Sequence, residues 1–114
     1  MAEVIMLPNG KSAFVDIAKI ADYCLNDPHP EGRHKARVFQ SVLGLNVSDA
    51  LYLQSIIFKA AAENTAIKTE TDQYGARYIL DFELTINMRS AIIRTCWIIR
   101  TQEDFPRLTT CYLL

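Results

Sequence analysis

The sequence is short of long apolar segments and of glycine. Its longest wholly apolar runs span a few residues, as at Ile56-Ile57-Phe58, whereas a membrane-spanning helix needs about 20. The N-terminus has no basic segment followed by an apolar stretch, so a signal peptide is not predicted. The glycines are isolated from one another, which excludes a glycine-rich phosphate loop. We therefore expect a globular protein of the cytoplasm that does not enter the membrane.

Cysteine and histidine are also scarce, and this limits metal and thiol chemistry. Cys24, Cys96 and Cys111 follow no CxxC spacing, and together with the two histidines, His29 and His34, they show no zinc-ligand spacing. The acidic residues form no calcium-loop pattern either. We therefore predict no metal and no other cofactor, and free, mostly buried thiols in a reducing compartment. The alternative for the thiols is a Cys-His nucleophile.

Strong positive charge is absent as well. Twelve Lys and Arg residues stand against thirteen Asp and Glu, which gives a formal net charge of −1 at pH 7. Proteins that bind nucleic acid without specificity are usually strongly basic, so the net charge disfavours that class. The charges are uneven, however, because residues 33–37 contain no acid and residues 89–107 contain four arginines against two acids. The sequence thus predicts either one basic face or scattered, solvated charges.

The spacing of apolar residues predicts helices first and strands afterwards. With 114 residues the chain is expected to form a single domain, residues 1–114, in which residues 1–12 are a short strand or tail and a turn. The other predicted elements are three helices and four strands, at 14–25, 30–43 and 47–62 and at 65–69, 77–86, 91–100 and 107–113. The fold class is therefore α+β, with about three N-terminal helices followed by a four-stranded antiparallel sheet.

Local signals support these elements. Gly44 suits the left-handed position after the second helix, and Asn46 with Asp49 forms a capping pair for the third. In the strand 77–86, alternate residues are apolar, which is typical of a strand with one buried face. Trp97 is the simplest anchor for the core beneath the sheet.

The residues around the start of the second helix suggest phosphate chemistry. A helix N-terminus has free N–H groups and a partial positive charge, and His29, Arg33 and Lys35 surround this one. A neutral histidine there could take a proton from an RNA 2′-hydroxyl, while lysine and arginine stabilise charge on the phosphate. The alternative is a histidine that only caps the helix or lies on the surface. Likewise, Arg94 and Arg100 share a strand face that is either a binding face or simply solvated.

Four segments resemble a known family. Residues 25–36, followed by Phe39 and Leu43-Gly44, resemble the LNPxHPxGxxKAxxFxxxLG signature of a small bacterial domain family. Residues 71–78, 96–100 and 106–110 resemble its TxYGxxY, W-I-R and PRLxT segments, so the resemblance covers residues 17–114. The family occurs as the C-terminal toxin domain of contact-dependent inhibition and other polymorphic toxins, and as short free-standing proteins often encoded beside another small gene. One departure is the first proline of the signature, which is displaced by one position to Pro28.

The resemblance implies a fold like that of barnase, EndoU, colicin and RelE-type ribonucleases. It implies metal-independent RNA cleavage, with tRNA as a candidate substrate and a cyclic phosphate as product. By position, it implies that four residues act in catalysis, namely His29, Lys35, Arg107 and Thr110. His29 would be the base or acid, and Lys35 and Arg107 would stabilise the phosphate. The resemblance also places Tyr74 in the site, where it would help to position the substrate. Three further residues are predicted to contact the substrate from their own positions, Arg33 at the helix start and Arg94 and Arg100 on the strand face.

The length implies how such a domain would work. Because the 114 residues leave no room for delivery domains, we expect the toxin of a toxin–antitoxin pair with a small cognate antitoxin or immunity protein. An alternative is a non-catalytic module of the same fold that binds a protein partner, and another is an unrelated enzyme or nucleic-acid binder. If the strand 107–113 is left at a sheet edge, it could pair with its counterpart in a homodimer.

Overall fold

Helices precede most strands in the computed structural model, which describes residues 4–25 and 33–114. The described helices are α1 (Ile17–Lys19, continued as a π-helical turn Ile20–Cys24), α2 (Arg33–Leu43) and α3 (Ala50–Glu63, preceded by a 3-10 turn Val47–Asp49). The described strands are β1 (Val4–Met6), β2 (Thr65–Asp72), β3 (Gly75–Ile86), β4 (Arg89–Arg100) and β5 (Arg107–Leu113). The α+β class predicted from the sequence is confirmed.

The described strands form one antiparallel sheet in the order β1-β2-β3-β4-β5, so the predicted four strands become five. The added strand is β1, which pairs Val4 with Ile67 and Met6 with Thr65. A strand of three residues is too short to show an alternation of apolar and polar residues. Its pairing also depends on β2, which lies far along the chain, so the sequence did not predict it as part of the sheet. The segment predicted as a strand or tail therefore contains an edge strand of the sheet.

The β3–β4 hairpin is longer than predicted because its turn is tight. Asn87 and Met88 both have positive φ, 48° and 69°. Two left-handed residues are the geometry of a two-residue hairpin turn, which lets both strands continue up to it. Pairing consequently reaches Ile86 and Arg89, directly beside the turn.

The first helix starts later than predicted because residue 14 is extended. The N–H of Phe14 donates to the carbonyl of Pro106 at 2.8 Å, and the N–H of Leu108 donates to the carbonyl of Phe14 at 3.0 Å. The helix then begins beyond Asp16, whose Oδ1 accepts from the N–H of Ala18 at 3.0 Å. The short bridge at Phe14 covers part of the outer edge of β5.

The signals predicted for the other two helices are confirmed. Gly44 has φ +72° and follows the last residue of α2. Asn46 and Asp49 form a reciprocal capping box, although the first turn they cap is 3-10 rather than α-helical. The predicted start of α2 at Pro30 lies outside the described residues.

The core lies between the helices and one face of the sheet. Trp97 is 1% exposed, and it packs with Leu80, Ile93, Phe39 and Ile57, which are all fully buried. The alternation predicted for β3 is confirmed, and so is the position of Trp97. The opposite face of the sheet is partly exposed.

No single helix in residues 4–25 and 33–114 is long and apolar enough to cross a membrane. In the same ranges, two helical segments, residues 35–43 and 47–63, are together long and apolar enough for a span by length and composition only, but they are bent by 79° relative to each other.

Candidate functional site

Lys35 and Thr110 meet although 75 residues separate them. Lys35 lies in the first turn of α2, and its Nζ donates to Thr110 Oγ1 of β5 at 3.1 Å. The same Nζ lies 5.1 Å from the centre of the Tyr112 ring, within reach of a cation–π interaction. The structure thus brings together two of the residues predicted for catalysis, and we call Lys35, Thr110 and Tyr112 the Lys35 site.

The neighbouring strand adds an ion pair to the Lys35 site. Arg94 is the register partner of Tyr112, and its Nε and Nη2 donate to the two carboxylate oxygens of Asp81 at 3.0 Å each. The hydrogen bonds from Arg94 to Asp81 also raise the pKa of the arginine. Arg94 therefore lies on the predicted face beside the Lys35 site, but Asp81 holds its guanidinium in place.

A β-bulge in β5 sets the direction of the site residues. Cys96 pairs with Thr110 and Trp97 pairs with Leu108, so Thr109 is an extra residue between the two pairs. Its hydroxyl donates to the carbonyl of Cys96 at 3.1 Å, which ties the bulge to β4. A simple alternation would place Arg107, Thr109 and Cys111 on one face, whereas the bulge leaves Leu108 and Cys111 as the two buried residues of β5.

Two buried thiols lie behind the Lys35 site. Cys24 and Cys111 are fully buried, and Cys96 is half-buried. The S–H of Cys111 donates to Cys24 and lowers the pKa of the Cys24 thiol to about 7, with a smaller contribution from the charge of Lys35. The same contact and burial raise the pKa of Cys111. The predicted burial of most thiols is confirmed.

Arg107 is held by a carboxylate and two aromatic rings. Its Nε and Nη2 donate to the two carboxylate oxygens of Glu103 at 2.7 Å each. Its guanidinium also lies 4.9 Å from the centre of the Phe14 ring and 5.0 Å from that of Phe105. Glu103 and the two rings fix the orientation of Arg107, so two of its five N–H groups are engaged before any substrate arrives.

This ion pair predicts how stability depends on acid. The hydrogen bonds from Arg107 lower the pKa of Glu103 below its ordinary value of 4.5. A carboxyl whose pKa is lower in the folded state than in the unfolded state stabilises the fold at pH values above its unfolded-state pKa. This stabilisation is lost as the pH falls through its folded-state pKa. We expect Glu103→Gln to flatten the decline in the free energy of unfolding below about pH 5. Urea unfolding of the variant and the wild type at several pH values measures this.

The control for the acid prediction is Arg107→Met. Because Arg107 is the main cause of the lowered pKa, Arg107→Met should flatten the same decline, and the double variant should add nothing further. Additive effects of the two substitutions would contradict the assignment.

Tyr74 and Arg100 lie together at the end of the sheet nearer Arg107. Tyr74 is exposed in the β2–β3 turn, where Asp72 Oδ1 accepts from its backbone N–H at 2.8 Å. Gly75, the next residue, pairs with Arg100. The predicted substrate contacts thus divide between two places, with Arg94 beside the Lys35 site and Tyr74 and Arg100 at the other end.

Two predicted site residues are not described. His29 lies outside the described residues, and so does the side chain of Arg33. Tyr112 and Asp81 lie at or beside the Lys35 site but were not predicted from the sequence as site residues. The available signal was alternation, which places Tyr112 on the same side of its strand as Thr110.

Within residues 4–25 and 33–114, no group of three or more His, Cys, Asp and Glu side chains could hold a metal ion.

A family model described as "Domain of unknown function (DUF6883)" matches residues 6–114. The chain belongs to this family. A comparison of this DUF6883 chain with curated protein sequences gives no match.

The DUF6883 fold also occurs in a solved structure. A chain of a contact-dependent growth inhibition toxin–immunity protein complex from Klebsiella pneumoniae 342 aligns with a TM-score of 0.68 and 19% sequence identity. The alignment covers 88% of this chain and 98% of that chain. At this identity the likeness establishes a shared fold and no shared function.

Proposed function

We propose that the protein is a metal-independent endoribonuclease and the toxin of a bacterial toxin–antitoxin pair. The observation that carries the proposal is the contact of 3.1 Å between Lys35 Nζ and Thr110 Oγ1. It places an ammonium group near the N-terminus of an 11-residue helix, where the helix dipole also favours an anion. The resemblance of residues 25–36 to a toxin-domain signature supports the same function.

The proposed reaction is attack of an RNA 2′-hydroxyl on the adjacent phosphorus. The 2′-oxygen forms a bond to phosphorus as a base removes its proton, and the bond from phosphorus to the 5′-oxygen breaks. The 5′-oxygen takes up a proton, so the products are a 2′,3′-cyclic phosphate and a 5′-hydroxyl. Negative charge builds on the non-bridging oxygens, and a fixed cation stabilises it most in the transition state.

Lys35 supplies that cation in our proposal. The Thr110 hydroxyl accepts a hydrogen bond from its ammonium group, and the Tyr112 ring lies within cation–π distance, so little reorganisation is needed when phosphate binds. His29 is the proposed base or acid, since it precedes α2 by a few residues. Arg33 and Arg94 are proposed to contact the RNA around this phosphate, with Arg94 oriented by Asp81.

The proposed partner is a small antitoxin or immunity protein that covers the Lys35 site. The structure with the shared fold is described as a complex between a toxin and an immunity protein, which supports a partner of this kind. Tyr74, exposed at one end of the sheet, is available to either the partner or the RNA.

Cleavage of total bacterial RNA in the presence of EDTA tests the catalytic proposal. We expect discrete products from the wild type and a loss of at least about 100-fold in Lys35→Ala, as for other removed transition-state donors. His29→Ala should lose a factor of about 100, typical of a general acid or base. Thr110→Val should lose less, about tenfold, because the lysine remains and loses only one of the groups that orient it.

Lys59→Ala is the matched control, because Lys59 is an exposed helical lysine on α3 and lines no part of the Lys35 site. It should cleave like the wild type, and thermal unfolding should show that every variant is folded. A wild type that leaves RNA intact, or cleavage that survives both Lys35→Ala and His29→Ala, would contradict the proposal.

A second candidate is a non-catalytic module of the same fold that binds a protein. The observation that favours it is that carboxylates already hold Arg94 and Arg107, an arrangement typical of structural ion pairs. Intact RNA together with stable binding of the neighbouring gene product would support this candidate.

A further inference from the structure

A small cavity opens beside β5, at the end away from Tyr112. Its volume is about 140 Å³, and Lys19, Arg100, Arg107, Thr109 and Phe14 contribute to its wall. Ligand pockets for whole small molecules usually measure about 300–1,000 Å³. The volume therefore suits one charged group of a larger ligand better than a complete small molecule.

The cations around the cavity outnumber the carboxylates that are free to neutralise them. Asp16 also lines the wall, but its Oδ1 accepts from the N–H of Ala18 at the start of α1. Glu103 is shared, at 2.7 Å from Arg107 and 3.9 Å from Arg100. Lys19 has no ion pair with any residue that the structure describes. Three cations against two carboxylates leave one positive charge, so the cavity favours an anion.

The wall also offers an aromatic ring. Phe14 is 45% exposed, and Arg107 stacks on it at 4.9 Å. Exposed aromatic rings beside cations are the usual platform for single-stranded nucleic acid, because the bases stack while the phosphates meet the charges. Arg107 keeps three N–H groups that Glu103 does not engage, and these can donate to phosphate oxygens.

The bulge in β5 joins this cavity to the Lys35 site. Thr109 lines the cavity, and Thr110 accepts the hydrogen bond from Lys35. Consecutive Cα atoms are about 3.8 Å apart. Adjacent residues of β5 therefore border both places, as one RNA strand with a phosphate at Lys35 and a neighbouring phosphate in the cavity would require.

We infer that the cavity beside Arg107 binds an RNA phosphate flanking the cleaved bond, with Lys19 and Arg100 as its charged contacts and the nucleotide's base stacked on Phe14. The inference rests on the proposed RNA substrate. In this arrangement Arg107 contacts the flanking phosphate, whereas the family resemblance implied that Arg107 stabilises the reacting phosphate.

Equilibrium binding of a single-stranded RNA oligomer over a range of salt concentrations tests the inference. The full chain with Lys35→Ala serves as background, so that binding is measured without cleavage. Adding Lys19→Ala should weaken binding about fivefold and reduce the slope of log K against log salt by about 0.7, the value for one lost phosphate contact on a single strand. Adding Phe14→Ala should weaken binding with no change in slope.

Lys11→Ala is the matched control, since Lys11 is an exposed lysine that does not line the cavity. It should leave the affinity and the slope as in the background protein. An unchanged slope in Lys19→Ala, or no binding of RNA at all, would overturn the inference.

The kinetics of an active wild type separate the two proposals. Lys19→Ala should then raise KM about fivefold at unchanged kcat, whereas Lys35→Ala lowers kcat. RNA binding that depends on Lys19 in a protein without cleavage would support the cavity and contradict the ribonuclease. Cleavage with a KM that does not respond to Lys19→Ala would contradict the cavity alone.

Discussion

Replacing Trp97 with alanine is expected to lower the free energy of unfolding by about 3–5 kcal/mol, the range for large aromatic residues removed from a core. Trp97 is 1% exposed and lies among fully buried neighbours from the helices and the sheet. Its Nε1 donates to Thr95 Oγ1 at 2.8 Å, and that hydroxyl donates to the carbonyl of Leu80 at 2.6 Å. The substitution therefore removes packing and also one end of a buried hydrogen-bond chain.

Urea unfolding followed by far-UV circular dichroism measures the loss, since the variant lacks the tryptophan used for fluorescence. Two further variants separate packing from hydrogen bonding. Thr95→Val keeps the shape but leaves the Trp97 N–H buried without its acceptor, at a cost of about 1–3 kcal/mol. Trp97→Phe keeps most of the packing and removes the donor itself, so it should cost less than Trp97→Ala. A loss below about 1.5 kcal/mol in Trp97→Ala would show that the core closes around the vacancy.

The second large effect is expected for Gly75→Ala, at about 3 kcal/mol or more. Gly75 has φ +149°, a conformation that residues with side chains rarely adopt. A Cβ there would also lie 2.1 Å from the carbonyl oxygen of Ile99, which belongs to the backbone of β4 and cannot rotate away. Backbone strain and overpacking each cost about 1–3 kcal/mol, and here they act together.

Gly44→Ala is the matched control for Gly75→Ala. Gly44 also has positive φ, +72°, but the nearest atom to a Cβ there is Arg89 Nη1 at 3.8 Å, an ordinary contact. Only the strain of a left-handed residue remains, at about 1–2 kcal/mol. Equal losses for the two variants in the same urea experiment would contradict the steric explanation at Gly75.

The hairpin around Gly75 also bears on the candidate site. Gly75 pairs with Arg100, which lines the cavity beside Arg107. A shift of β3 against β4 at Gly75 would therefore move one wall of the proposed phosphate site. If Gly75→Ala folds at low temperature, its RNA binding should fall together with that of Lys19→Ala, whereas Trp97→Ala should affect stability first.

Some residues of the candidate site are predictable from the sequence, but the groups that surround them are not. Lys35 and Thr110 were predicted from the family resemblance, and the structure brings them into contact. Arg107 was predicted beside them, yet it binds Glu103 and lines the separate cavity. The pairing of Arg107 with Glu103 joins neighbours four residues apart across an irregular loop, where no period of apolar residues exists to predict side-chain direction.

The sequence by itself determined the α+β class, the caps of α2 and α3 and the buried face of β3. Those features follow from periods of 3.6 and 2 and from capping side chains, which act between residues close along the chain. Only the tertiary structure decided the addition of β1 to the sheet, the bulge at Thr109 and the meeting of Lys35 with Thr110. These depend on strand register and on packing between distant segments, and a single extra residue such as Thr109 redirects the side chains that follow it without leaving any mark in the local pattern.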